Sequence, residues 1–263
     1  MNKKTFKGID VSAHNGTINW DKVKKAGIEF ALIRAGYGSS TVDDKFKYNI
    51  ENALKAGIKV GLYWFGYAYT VPQAVKEAEF FINLMKPYAG KIEFPVYYDW
   101  EYDSYNYAVK CGVKPDKQLV SAMTKAFLTK LEEAGYYAGN YTNIDYATKF
   151  FDDEVKSRYA CWIAQWSSKC SYTNQYGIWQ YGAEQNYIDS KYVDGISGIV
   201  DKDYCYIDYP TLIKSAGFNG FKKSENAKPV QPQEPESKYD VNGDGKVTAE
   251  DALEVLNHIV GNK

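Results

Sequence analysis

The strongest constraint on the fold is the alternation of strands and helices over the first 150 residues. Apolar segments at residues 28–34 and 58–65 have the length and composition of buried strands, and each precedes a segment with helical spacing of its apolar residues. Five such strand–helix units follow one another, which predicts a parallel sheet with right-handed crossovers. Because the pattern extends over about 220 residues, it favours an α/β fold of the TIM-barrel-like (β/α) type over an open doubly wound sheet.

The last third of this barrel is expected to be irregular. Residues 159–165, 177–181 and 199–204 have strand patterns but no long helices between them, and residues 209–216 form the last predicted helix. The regular part, in contrast, contains a long amphipathic helix at residues 116–134. The prediction is therefore an irregular (β/α) barrel.

The segment FPVYYDWE, at residues 94–101, carries the most informative side chains. Side chains on a strand alternate between its two faces, so Asp99 and Glu101 are expected to share one face and Trp100 to lie on the other. Close like charges and aromatic surroundings raise carboxyl pKa values. Two carboxyl groups in unequal environments are what cleavage of a glycosidic bond requires, since one stays protonated and the other ionised.

Two further carboxylates are predicted to lie near this pair. Asp10 ends the first predicted strand, and Asp201 lies in the last one. The active sites of parallel barrels lie at the C-terminal ends of the strands. We therefore expect Asp10, Asp99, Glu101 and Asp201 to converge on one face of the barrel.

Composition and motifs exclude several classes of function. The net charge is −1 without a basic run, so nucleic acid is not an expected partner, and no run of 18 apolar residues predicts a membrane span. Two histidines and the absence of a C-x-x-C pair argue against metal or redox catalysis, and no glycine-rich phosphate loop is present. No cofactor is expected for catalysis. Cys161 and Cys170 could pair across a loop, but sequence leaves the connectivity open.

The composition changes near residue 222, where a polar, proline-bearing stretch begins. Such a stretch is typical of an extended linker. The predicted organisation is a catalytic barrel at residues 1–220, a flexible linker at 221–238 and a small calcium-loop–helix segment at 239–263.

The segment DVNGDGKVTAED, at residues 240–251, has the spacing of a calcium-binding loop, with Gly245 at the sharp turn. Asp251 stands at loop position 12, where EF-hands have Glu. The Lys246 ligand is its backbone carbonyl, and Thr248 binds directly or through water. The predicted Ca²⁺ ligands are Asp240, Asn242, Asp244, Lys246, Thr248 and Asp251.

The barrel sequence resembles glycoside hydrolase family 25, the lysozymes of the N,O-diacetylmuramidase type. The resemblance implies an irregular β/α barrel that hydrolyses the β-1,4 bond between N-acetylmuramic acid and N-acetylglucosamine in peptidoglycan. The motifs that carry it are GIDVSAHNGTINW (8–20), FALIRAGYG (30–38), AGIKVGLYWFGYA (56–68), VYYDWE (96–101), WIAQW (162–166), IWQY (178–181) and GISGIVDKDY (195–204).

By position in these motifs, Glu101 resembles the general acid of the family and Asp99 its partner carboxylate, with Asp10 and Asp201 matching the other two acids. The family often has Asn where this chain has Asp203, and we do not place Asp203 in the site. Sugar contacts are expected from residues at matching motif positions, namely Tyr63, Tyr98, Trp166 and Gln180.

The resemblance leaves the role of Asp99 open between nucleophile and helper of a substrate-assisted route, which the D-x-E geometry favours. A non-catalytic glycan-binding barrel is one alternative, disfavoured by the intact acid pair. A chitinase-like hydrolase is another, although Val96 and Tyr97 stand where the acids of the fuller chitinase motif would be.

The C-terminal segment resembles a single repeat of a dockerin, which implies a cohesin-type partner or pairing with another copy. The implied place of action is extracellular or at the cell wall. Residues 1–12 contain no apolar signal-peptide core, which predicts either a removed signal or a phage endolysin.

Overall fold

The computed structural model describes residues 5–223. The predicted calcium loop and most of the predicted linker lie outside these residues. Phe221 still packs against the inner core of the barrel, one residue beyond the predicted domain boundary at 220.

Eight strands form a closed barrel in the order β1-β9-β8-β7-β6-β5-β4-β2, and pairing of β1 with β2 closes it. The ninth strand, β3, extends from β2 as an antiparallel partner. These findings confirm the predicted irregular barrel. The strands are β1 (Phe6–Val11), β2 (Phe30–Tyr37), β3 (Thr41–Val42), β4 (Lys59–Phe65), β5 (Val96–Asp99), β6 (Ala138–Asn143), β7 (Ala160–Ala164), β8 (Ile178–Gly182) and β9 (Asp201–Cys205).

The irregularity lies in β9, which runs antiparallel to both of its neighbours. All other pairings within the barrel are parallel. The first residue of β9, Asp201, is therefore paired with Asp10 near the C-terminal end of β1. We call this end of the barrel the mouth. Asp201 thus reaches the mouth from the N-terminal end of its strand, which the sequence pattern did not predict.

Helices cover the outside of the parallel strands. Asn19 and Asp116 cap the first and fifth helices, because each side-chain oxygen accepts a backbone N–H three residues later. The fourth and seventh helices were not predicted. The helices are α1 (Trp20–Lys25), α2 (Phe46–Lys55), α3 (Val71–Met85), α4 (Tyr102–Lys110), α5 (Lys117–Glu133), α6 (Ile144–Lys149), α7 (Asp153–Arg158) and α8 (Tyr209–Ala216).

The core has an outer layer between strands and helices and an aromatic layer inside the barrel. The inner layer contains Tyr63, Tyr97, Tyr141 and Trp162. Glycines on neighbouring strands make room for such rings: a Cβ at Gly139 would overlap the ring of Tyr97. The barrel interior below the mouth is therefore filled with side chains, and the space for chemistry lies at the mouth.

Asn219 ties the opposite end of the barrel together. Its side chain is fully buried, accepts the Tyr137 N–H at 2.8 Å, and donates to the carbonyl oxygens of Ile92 and Phe94 at 3.0 Å each. Its φ of 55° lies in the left-handed region, which Asn tolerates better than most residues. One side chain thereby joins the segment after α8 to the entries of β5 and β6.

Asn219→Ala should lower the free energy of unfolding by about 2–4 kcal/mol, since it leaves buried backbone groups without partners. The matched control is Asn174→Ala, at an exposed position, which should change stability by less than about 0.5 kcal/mol. Urea unfolding of both variants measures the difference. Equal stability of the two would show that Asn219 does not hold this end.

Candidate active site

Four carboxyl groups meet at the barrel mouth. Asp10 lies opposite Asp201 across the β1–β9 pairing, and Asp99 ends β5. Electrostatic interactions join Asp99 to Glu101, Glu101 to Asp201, and Asp10 to Asp201. Asp10 and Asp99 are only 6% and 5% exposed, whereas Glu101 and Asp201 are partly open to solvent. The structure therefore brings together the four acids that the sequence placed at one face.

Glu101 is held at the junction of β5 and α4. It is the N-cap residue of α4, and its backbone N–H donates to Ser104 Oγ at 3.1 Å. Trp100 points to the outer layer, where its indole N–H donates to the Ala68 carbonyl at 2.9 Å. Anchors on both sides thus fix the backbone that carries Glu101.

The pair Asp99 and Glu101 sits in unequal surroundings. Burial, followed by the charges of Asp103 and Asp201, raises the pKa of Glu101 to about 7. Burial and the Glu101 charge raise the pKa of Asp99 well above its usual range, but the Arg34 guanidinium opposes that rise. Of the two carboxyl groups, only that of Asp99 has a nearby cation, Arg34, that stabilises its ionised form.

Arg34 was not predicted as a site residue. Its Nε donates to Asp43 Oδ2 at 2.8 Å, and the buried Asp43 carboxylate also accepts the Ala13 backbone N–H at 3.0 Å. The salt bridge fixes the guanidinium group on β2 beside the acid cluster. Its only sequence signal was a charged residue within the apolar strand pattern of residues 28–34.

Gln180 links three side chains at the mouth. Its Nε2 donates to Asp10 Oδ2 at 2.8 Å, and its Oε1 accepts from Tyr141 OH at 3.3 Å and Trp166 Nε1 at 3.1 Å. The Trp166 side chain is 44% exposed, so this network runs from a buried acid to the surface. Tyr63 is buried in the aromatic layer, and this burial together with the charges of Asp10 and Asp99 raises its pKa.

The structure contradicts the prediction that Tyr98 contacts substrate. Its ring stacks on Phe127 of α5 with centroids 4.0 Å apart, and its hydroxyl donates to Glu77 Oε2 of α3 at 3.4 Å. Tyr98 neighbours Asp99 on the strand, so it must point to the other face. Its motif position suggested the site, but the strand alternation turns it towards the helices.

Asp203 lies inside the site, contrary to expectation. It is fully buried, its Oδ1 accepts the Trp162 Nε1–H at 2.8 Å, and its charge acts on the carboxyl group of Asp10. Asp201 and Asp203 are two residues apart on β9 and thus share a face. That spacing was the signal that could have placed Asp203 here.

Outside the mouth, the described residues offer no metal centre, membrane span or disulfide. No cluster of three or more His, Cys, Asp or Glu side chains within residues 5–223 is arranged to hold a metal ion. No helix in the same residues is long and apolar enough to cross a membrane. Cys161 and Cys170 are free thiols and do not form the disulfide that sequence left open.

The family model for glycosyl hydrolases family 25 matches residues 9–190. The chain belongs to this family. Lysozyme M1 of Streptomyces globisporus is 52% identical over 58 residues, which cover 22% of this chain and 20% of that protein. The autolytic lysozyme of Clostridium acetobutylicum is 29% identical over 202 residues, which cover 75% and 55% of the two chains. The family 25 chain therefore spans a fifth to about half of the length of these relatives.

Solved structures share the fold of this family 25 barrel. The modular autolysin LytC of Streptococcus pneumoniae is 27% identical with a TM-score of 0.65, covering 77% of this chain and 47% of LytC. A family 25 glycosyl hydrolase of Bacillus anthracis is 25% identical with a TM-score of 0.64, covering 79% of this chain and 91% of its own.

A second family model, for the dockerin type I domain, matches residues 206–260. The first part of this match falls on α8, whose Tyr209 and Ile213 are buried in the inner core of the barrel. The single calcium-loop motif of the family 25 chain, at residues 240–251, lies in the remainder.

Behind the mouth of the family 25 barrel, a buried acid supports the loop after β4. Glu77 of α3 accepts the Tyr67 N–H at 3.0 Å and the Tyr98 hydroxyl proton at 3.4 Å. Burial raises the pKa of Glu77 to about 8. The sequence pattern gave no sign of this residue, because an acid on an amphipathic helix is usually exposed.

Stability should fall as pH rises from about 4.5 to about 8, because folded Glu77 keeps its proton where the unfolded chain has lost it. Glu77→Gln should therefore flatten this part of the pH dependence of Tm. The matched control is Glu79→Gln, an exposed position on the same helix. If both variants follow the wild-type curve, Glu77 does not titrate in this window.

Proposed function

We propose that this family 25 hydrolase is a muramidase that cleaves the β-1,4 bond between N-acetylmuramic acid and N-acetylglucosamine in bacterial peptidoglycan. The observation that carries the proposal is the Asp99–Glu101 pair at the barrel mouth, where the Arg34 guanidinium opposes the burial-driven rise in the pKa of Asp99 but not of Glu101. Two carboxyl groups in unequal environments supply an acid and an ionised partner. The similarity to proteins named lysozymes supports the choice of substrate.

Glu101 is the proposed general acid. With a pKa of about 7, a large fraction of its carboxyl groups is protonated at neutral pH and can protonate the glycosidic oxygen. After the bond breaks, the ionised Glu101 accepts a proton from the water that attacks the anomeric carbon. One residue therefore acts as acid in the first step and as base in the second.

Asp99 is the proposed partner in a substrate-assisted route. Its Oδ1 is buried and accepts no hydrogen bond from any described residue. The part of the Asp99 side chain that remains exposed is proposed to accept the N–H of the substrate's N-acetyl group, which would turn the acetyl oxygen towards the anomeric carbon. The acetyl oxygen then forms the new bond to that carbon while the bond to the leaving group breaks, as in other substrate-assisted glycosidases.

The remaining mouth residues are assigned to contact with the substrate and to adjustment of the pKa of Glu101. Trp166 offers an exposed aromatic face, and Gln180 connects it to Asp10. Tyr63 is the member of the aromatic layer proposed to contact substrate, and the charges of Asp10 and Asp99 act on it. Burial raises the pKa of Asp201 to about 6, and its charge in turn favours protonated Glu101.

The C-terminal segment is proposed to bind Ca²⁺ through the ligands predicted for the loop at residues 240–251. The dockerin match supports this assignment and a cohesin-type partner as its target, and a second copy of the chain is the alternative target. Action outside the cell or at the cell wall follows from the proposed substrate.

Glu101→Gln should reduce lysis of purified cell walls by at least about a thousandfold, since the amide has no proton to donate. Turbidity measures lysis, and circular dichroism checks the fold. The matched control, Glu133→Gln on the exposed end of α5, should keep the wild-type rate. Lysis by Glu101→Gln at the wild-type rate would remove Glu101 from the acid role.

Mass spectrometry of borohydride-reduced products identifies the bond that is cut. A muramidase leaves reduced muramic acid at each new end. Reduced glucosamine ends would contradict the proposed bond specificity, and binding of walls without new ends would indicate a glycan-binding barrel.

Asp99→Asn should lower kcat by about a hundredfold or more, because the amide lacks the charge that stabilises the cyclic intermediate. A thiazoline analogue of that intermediate should inhibit the wild-type enzyme. Mass spectrometry of protein quenched during turnover tests the competing route. A sugar covalently attached to Asp99 would show that Asp99 is the nucleophile.

A further inference from the structure

Asp203 is so deeply buried that a negative charge on its side chain would be energetically costly. Its side chain is completely inaccessible to solvent, and the strand pairings place it beside Gly8 on β1 and Gln180 on β8. A buried carboxylate is normally paired with a cation. The nearby cations have other partners, since Arg34 binds Asp43 and Lys202 binds Asp189.

The hydrogen bonds of Asp203 account for one of its oxygens only. Oδ1 accepts the indole N–H of Trp162 at 2.8 Å. Oδ2 is buried and receives no N–H or hydroxyl proton from the part of the chain that the structure describes. The Asp10 side chain lies diagonally across the β1–β9 pairing from Asp203, because Gly8 faces Asp203 and Asp10 faces Asp201.

Two ionised carboxylates cannot form a hydrogen bond, because both are acceptors only. A hydrogen bond between Asp10 and the unpartnered Oδ2 of Asp203 therefore requires one proton on the pair. Asp10 is in turn fixed by Gln180, whose Nε2 donates to Asp10 Oδ2 at 2.8 Å. A proton held between Asp203 and Asp10 would complete a chain of hydrogen bonds from Trp162 through Asp203, Asp10 and Gln180.

We propose that Asp203 is a positioning residue of the mouth: it shares one proton with Asp10 and so fixes the orientation of Asp10 and, through Gln180, of the exposed Trp166. Its importance for the reaction rests on the proposed function, whereas the shared proton does not. Burial, and then the charges of Asp201 and Asp203, raises the pKa of Asp10 well above its usual range, in agreement with a retained proton. The other titratable groups that face the two carboxyls are Asp99, Asp201, Tyr63, Tyr141 and Cys205.

An asparagine at position 203 would preserve both contacts. Its Oδ1 would accept from Trp162, and its Nδ2 would donate to Asp10 at every pH. Aspartate can donate only while the pair holds its proton. Asp203→Asn thus keeps the hydrogen bond to Asp10 but removes the group at position 203 that can gain or lose a proton. Asp203→Ala removes both the hydrogen bond and the titratable group.

Infrared spectroscopy of protein labelled with carbon-13 aspartate tests the shared proton directly. At pH 7.5 the wild-type protein should show the C=O band of a protonated aspartic acid, and part of this band should be missing in both Asp203→Asn and Asp10→Asn. Asp99 is unchanged in both variants, so the missing part belongs to the pair. A band of undiminished intensity in Asp203→Asn would overturn the proposal.

The pH dependence of kcat/KM on purified walls tests the positioning role. Asp203→Ala should lose more than tenfold and Asp203→Asn less than tenfold. The ratio of the Asp203→Asn rate to the wild-type rate, in which the titration of Glu101 cancels, should rise above neutral pH. Equal losses in the two variants, or a ratio independent of pH, would contradict this role.

The infrared measurement and the rate measurement test two different claims, so one claim can be refuted while the other stands. A wild-type protein that does not cut walls would refute the proposed function, and the infrared result would still decide whether the proton is shared. If Asp203→Ala does not fold, the infrared comparison and the rate ratio need only Asp203→Asn.

Discussion

The antiparallel pairing of β9 with β1 is the interaction on which the candidate site depends. It places Asp201 opposite Asp10, with Asp203 one pleat further down the same face. A parallel β9 would carry these acids to the other end of the barrel. The direction of one strand therefore decides whether the carboxyl cluster exists.

Much of the site follows from the two-residue period of strands. This period correctly separates Asp99 and Glu101 from Trp100, and applied consistently it would also have included Asp203 and excluded Tyr98. The direction of β9 could not be predicted, because reversal leaves no trace in the strand's own pattern. Helix α4 was missed because its buried face consists of the small residues Ser104 and Ala108 instead of large apolar side chains.

The buried acids of the mouth lower the stability of the fold but provide groups that can exchange protons. Burial raises the pKa values of Asp10, Asp99 and Asp203 in the same direction, so each favours the folded state less as pH rises. The fold tolerates them through the dense aromatic layer below and through hydrogen bonds from Trp162 and Gln180. Neutral amides at these positions would cost less, but they could not supply or accept a proton.

The start of α4 at Glu101 has a consequence for turnover. The first backbone N–H groups of a helix carry partial positive charge, equivalent to about half an elementary charge at its N-terminus. Glu101 is the N-cap residue of α4, so the negative charge that it gains on losing its proton belongs to the residue at this end of the helix. The helix dipole therefore favours the deprotonated enzyme that follows bond cleavage, while burial favours the protonated enzyme that precedes it, and the balance between the two keeps Glu101 able to cycle between both states.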